Sequence, residues 1–96
     1  MPKAYIIFTE DIHDKEAMDA YSAAAIPTII GNADVLAADQ AVEVLEGDWH
    51  GNQTVVLGFE SVEAAKAWYG SDAYREAIPK RQAAANCNVA IVHGFG

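Results

Sequence analysis

Residues 54–70, TVVLGFESVEAAKAWYG, pass from strand to helix with no linker between them. TVVLGFE is rich in β-branched and aromatic residues and apolar on both alternating faces, the pattern of a strand covered on both sides. Ser61 follows at once, and its hydroxyl can accept one of the unpaired backbone N–H groups at the start of a helix. VEAAKAWYG then closes on Gly70. SDAYREAI, residues 71–78, repeats the device with Ser71 as the cap. Pro79 is expected to interrupt it, leaving KRQAAAN as a last short helical turn before NVAIVHG ends the chain as a strand.

Toward the amino terminus, ADVLAAD and AVEVLEG are short and β-prone, and the residues Asp39 and Gln40 between them predict a hairpin with a tight turn. PKAYIIFTE reads as a buried strand, with Ala4, Ile6 and Phe8 on one face and Tyr5 and Ile7 on the other. Asp14 can cap a helix whose inward stripe is Ala17, Met18, Tyr21, Ala24 and Ala25, spaced by three and four residues. Pro27 should end or kink that helix, and Gly31 and Asn32 supply a stop. The order β-α-β-β-α-β defines an α+β, ferredoxin-like split β-α-β sandwich, expected as a single domain over residues 1–96.

Two helices cover one face of a four-stranded sheet. The first strand, TVVLGFE and the last strand, through Val89, Ala90, Ile91 and Val92, are apolar on both faces, so the second face needs a cover. A second copy of the chain supplies one. Burying a few hundred Å² of apolar area at roughly 25 cal/mol per Å² is worth about 10 kcal/mol before the cost of association, enough for an obligate homodimer packed sheet to sheet.

Composition narrows the partners. Hydrophobic residues make up 52% of the 96 and charged residues 21%, a globular and not a disordered balance. Six Lys and Arg against fourteen Asp and Glu give a net charge of −8, a field that repels polyanions, so neither nucleic acid nor an anionic membrane surface is an expected partner. The single Cys87 forms no intramolecular disulfide, has no basic neighbour in sequence to activate it, and reads as inert. With no apolar signal core and no long apolar run, a cytoplasmic location is expected.

EGDW at 46–49, FES at 59–61, AAKAWYGSDAYREA at 64–77 and Arg81 together resemble the domain of unknown function 1330 family, within the dimeric α+β barrel superfamily. The likeness runs from YIIFTE through Tyr21 and Pro27 to the closing VHG, and the AWY-x-S-x-x-Y spacing is its most specific part. It implies a ferredoxin-like protomer and a dimer with a barrel-like core between two sheets. Members of that superfamily include cofactor-independent monooxygenases, lactone isomerases, haem enzymes and domains without chemistry, so the fold selects no reaction. The chain departs from the family pattern in three places. Gly31 and Asn32 stand where paired glycines are usual, Ala37, Ala38 and Asp39 where an arginine is usual, and Gly58 where a glutamate is usual.

Chemistry-bearing residues crowd LEGDWHGN, residues 45–52. Glu46 is expected at the end of the strand AVEVL, and Gly47 lets the backbone turn so that Glu46 and Asp48 face the mouth of a barrel. The bland reading is a hairpin with solvated acids. One imidazole, His50, beside two carboxylates is weak metal-ligand spacing, and no metal or cofactor is expected. Trp68 and Tyr69 diverge by about 100° on a helix, so one packs and the other is free to line a pocket. Tyr74 is either a core residue with a satisfied hydroxyl or a donor to a ligand. Arg81 can clamp a carboxylate, whether that of Glu46 or of a ligand. His93, on the last strand, is the candidate proton carrier.

Two functions follow. In one, each protomer of the homodimer holds a small organic molecule, with Glu46 and His93 catalytic and Tyr69, Ser71, Tyr74 and Arg81 binding the substrate, in a monooxygenase- or isomerase-like reaction without cofactor. In the other, the chain is a non-catalytic dimeric module whose polar residues hold its elements together.

Overall fold

The structure, a computed structural model, describes residues 2–95. Strand β1 (Ala4–Ile12) leads to helix α1 (Lys15–Ile29), strands β2 (Asp34–Asp39) and β3 (Gln53–Phe59), helices α2 (Val62–Tyr69) and α3 (Asp72–Ala84), and strand β4 (Ala85–His93). The strands form one antiparallel sheet in the order β2-β3-β1-β4. This is the expected α+β, ferredoxin-like arrangement, with α2 and α3 together in the place of the second helix.

All three caps form as their side chains dictate. Asp14 accepts from the Ala17 amide, Ser61 from the Ala64 amide and Ser71 from the Tyr74 amide. The prolines behave otherwise. Helix α1 runs two residues past Pro27, and α3 runs unbroken through Pro79 to Ala84, so no separate turn follows it. Proline deprives the carbonyl four residues earlier of its donor. Those carbonyls belong to Ala23 and Arg75, and both residues, like both prolines, are exposed, so water can replace the missing bond.

The expected hairpin is also absent. Residues 41–52 carry no strand, and β2 pairs with β3 instead, with an irregularity between Val35 and Ala37. Strand preference is largely a fit to a pleated, half-buried surface. AVEVL finds none within the protomer: Leu45 is 93% exposed.

Alternation along β1 decides what the sheet presents. Ala4, Ile6, Phe8 and Glu10 are buried against the helices, with Leu57 and Phe59 beside them on β3. Ala25, Ala65, Trp68, Tyr74 and Ala77 close the core from the helical layer. The opposite face, with Tyr5, Ile7, Val56, Ala90 and Val92, has no helix over it. Trp49 and His50 reach its rim and hydrogen-bond Thr54 and Thr9. The molecule is therefore a slab of 34 × 34 × 16 Å. No helix is long and apolar enough to cross a membrane.

Candidate functional site

The register places Gln53 of β3 and Cys87 of β4 on either side of Glu10 of β1. Directly paired residues of antiparallel strands share a face, so these three side chains form a row under the helices. Gln53 Nε2 donates to Glu10 Oε1 at 2.7 Å, and the Cys87 thiol lies 3.8 Å from Glu10 Oε2. Glu10 is only 2% exposed, which is rare for a carboxylate.

A second polar group comes from the helices. Arg81 of α3, 3% exposed, donates from Nη1 to the Tyr74 hydroxyl at 2.8 Å, and that oxygen lies 2.7 Å from the Tyr21 hydroxyl of α1. The guanidinium carbon sits 5.5 Å from the centroid of the Phe8 ring, a cation–π contact, while Nε has no partner among the described residues. Burial alone would lower the pKa of Arg81. The hydroxyls of Tyr69, Tyr74 and Tyr21 around it outweigh that and raise it, so it stays charged. Burial pushes the Tyr74 phenol up, as it does that of Tyr21, and both stay protonated at neutral pH. Burial, followed by the charge of Glu10, also pushes the Cys87 thiol up, which makes it a poor nucleophile.

Between α1 and the sheet lies a cavity of about 310 Å³. Phe8, Ile29, Val55 and Leu57 contribute to its apolar wall, and Glu10, Tyr21 and Gln53 also line it. Val35 and Ala38 of β2 border it from the edge of the sheet. Such a space takes a small, mostly apolar molecule with one polar end.

The residues singled out in the sequence divide between this site and other places. Tyr74 and Arg81 come together behind Tyr21. Trp68 packs, donating its indole N–H to Thr28 and stacking on Tyr74 at 4.0 Å between centroids. Tyr69 is half-buried, with its hydroxyl beside Arg81 and its ring 5.5 Å from that of Tyr74, and it also borders a shallow depression with Gly70, Arg75, Ile78 and Pro79. The Ser71 hydroxyl is engaged twice, accepting from the Tyr74 amide and donating to the Trp68 carbonyl. Glu46 lies exposed in the loop after β2, and Arg81 bonds Tyr74 rather than Glu46. His93 is exposed and pairs with Ala4, roughly 20 Å along β1 from the Glu10 row at about 3.3 Å per residue. His50 bonds Thr9 on the open face, and among the described residues no three His, Cys, Asp or Glu side chains gather as a metal site.

Sequence reasoning missed Glu10 and Gln53. A signal for Glu10 was present, because it is the next member of the inward stripe Ala4, Ile6, Phe8.

A ferredoxin-like α+β fold with one helical face, one open face and an apolar cavity open at one edge defines the class. Residues 3–95 match the family described as domain of unknown function (DUF1330), and the chain belongs to that family. A solved protein of unknown function from Rhodopseudomonas palustris is similar at a TM-score of 0.79 and 19% identity, covering 99% of this chain and 84% of that one. A cofactor-independent oxygenase from Streptomyces nogalater, SnoaB, is similar at a TM-score of 0.67 and 7% identity, covering 100% and 96%. A dimeric protein of unknown function with a ferredoxin-like fold from Bacteroides fragilis is similar at 0.62 and 9% identity, covering 94% of each chain. At these identities the likeness is one of fold. No match is found among curated proteins.

Proposed function

We propose that the chain forms a homodimer through the open faces of its sheets, and that each protomer binds a small organic molecule between α1 and the sheet for cofactor-independent chemistry. One observation carries the site: a buried carboxylate, Glu10, borders an apolar cavity that Tyr21, the end of a chain from the buried Arg81, also borders. Burying a carboxylate is costly, so one that borders a cavity is a candidate functional group. Of the residues expected from the sequence, Tyr74 and Arg81 belong to this site, acting through Tyr21, whereas Glu46 is left to the loop.

The unrelieved apolar surface of the open sheet supports the dimer, as does the dimeric state of the Bacteroides fragilis protein of similar fold. The oxygenase of similar fold from Streptomyces nogalater supports chemistry without a cofactor. The free thiol of Cys87 fits a reducing cytoplasm. One observation favours the alternative of a non-catalytic module: the Ser71 hydroxyl is fully engaged inside the fold.

A fragment screen by protein-observed NMR tests the pocket. Small aromatic alcohols and ketones should shift resonances of Ala25, Val55 and Leu57, and Ala38→Trp, at the exposed edge of the cavity, should abolish those shifts without unfolding the protein. Shifts confined to the open face, or binding indifferent to Ala38→Trp, would refute it.

A further inference from the structure

The proton positions along Arg81, Tyr74 and Tyr21 are fixed by counting donors. Arg81 can only donate, so the Tyr74 oxygen accepts from it at 2.8 Å. Tyr74 is 0% exposed, and its own O–H has one oxygen in reach, that of Tyr21 at 2.7 Å. Were Tyr21 to donate to Tyr74 instead, the Tyr74 O–H would be a buried donor without an acceptor, a destabilising arrangement. Tyr74 therefore donates to Tyr21. The O–H of Tyr21 is left over, and Tyr21 borders the cavity. A donor at the end of such a chain is strengthened by the cation at its head.

Glu10 borders the same cavity with the opposite property, a carboxylate that accepts. Around it stand the neutral Gln53 amide, the Cys87 thiol held protonated, the Tyr21 phenol, and the Arg81 guanidinium, whose charge reaches the same thiol and phenol. The cavity lining thus includes both a base and a charge-backed phenol. That pairing is what removal of a proton next to a carbonyl requires.

Resting on the pocket proposed above, we infer that its ligand is an enolisable carbonyl compound, with Glu10 as the general base and Tyr21 as the oxyanion donor. The proton leaves the carbon beside the carbonyl for a Glu10 oxygen. The C–H electron pair becomes the new C=C bond, and the carbonyl π pair moves onto oxygen, where it accepts the Tyr21 O–H. Return of the proton from Glu10 to another carbon of a conjugated ligand completes an isomerisation in which nothing is oxidised or reduced. Tyr74 and Arg81 are positioning residues that orient and polarise the Tyr21 hydroxyl. Gln53 orients the Glu10 carboxylate.

The test uses the full-length protein, with 4-nitrophenol as an enolate mimic and 2-tetralone as a carbon acid. In the wild type, Glu10 takes the phenol's proton, so bound 4-nitrophenol should show phenolate absorption at a pH where the free probe is mostly protonated. Its affinity should stay level as pH falls below the probe's own pKa. In Glu10→Gln only the phenolate binds, so affinity should fall about tenfold per pH unit below that pKa. Tyr21→Phe should weaken binding by about tenfold or more, and Tyr74→Phe, which keeps the ring and cuts the chain, should weaken it less. Exchange of the α-protons of 2-tetralone in D2O, followed by NMR, should drop about a hundredfold or more in Glu10→Gln. Circular dichroism melts check that each variant is folded, and the wild-type absorption stands without any variant. Binding as neutral phenol, pH profiles that coincide in wild type and Glu10→Gln, or tetralone exchange untouched by that substitution would overturn the inference while the pocket survives. No binding of either probe, with no cavity shifts in the fragment screen, would overturn both.

Discussion

Gly51 turns at φ +88° directly against the end of β1, and a Cβ there would collide with the backbone carbonyl of Glu10. Beside it the Asn52 amide donates to that carbonyl at 2.7 Å, while the Asn52 side chain bonds both the amide and the carbonyl of Ile12. The final residues of LEGDWHGN are thus a clamp on the strand that presents Glu10. Gly51→Ala combines a left-handed backbone with a steric clash and should lose about 2 kcal/mol or more in urea denaturation; an unchanged midpoint would show that the loop can move away. Tyr74 gives a second prediction. Burial raises its pKa above the ordinary value of 10.0, so the folded state holds a proton that the unfolded state releases. The group's contribution is fully present below pH ~10 and is lost above it, at up to about 1.4 kcal/mol per pH unit until the folded phenol itself ionises. Tyr74→Phe should flatten that alkaline slope in melts taken across this range. These residues show what the sequence concealed. Gly51 reads as one turn glycine among several, and its need for close approach exists only once β1 lies against it. Glu10 was legible as a stripe position, but its neighbours Gln53 and Cys87 depend on a strand register that one-dimensional spacing does not encode.

The strand-to-helix unit at 54–70 forms as its residues dictate, because cap, apolar stripe and stop are all local and agree with one another. Removing either of two caps checks this. Asp14→Ala should lower stability by about 1 kcal/mol, and Ser71→Ala by somewhat more, because its hydroxyl holds the Tyr74 amide and the Trp68 carbonyl together. Equal, negligible losses in thermal melts would mean that tertiary packing alone sets these helix starts. Local rules fail where a neighbour decides. Pro27 and Pro79 look like breaks from sequence, yet each falls on the wet side of its helix. AVEVL has strand composition, but the partner it was assigned, ADVLAAD, is used by β3.

Across the whole molecule, one face of the slab carries helices and cavity, and the other carries bare sheet with Trp49 at its rim. Ala90 lies exposed on that bare face, paired with Ile7. Ala90→Lys should leave the protomer folded and convert the dimer to monomer in sedimentation velocity, since a charge there would have to be buried against its symmetry mate. A dimer of undiminished affinity would place the interface elsewhere. The slab's thinnest dimension is 16 Å, with the cavity on the helical side. Joining two such slabs by their bare sides leaves the two chambers back to back, opening in opposite directions with both sheets between them. In the proposed dimer guests would arrive from opposite sides, neither blocking the other's approach, and occupancy is expected to rise along a plain hyperbola to two per dimer. The proposed assembly is two cups sharing a base.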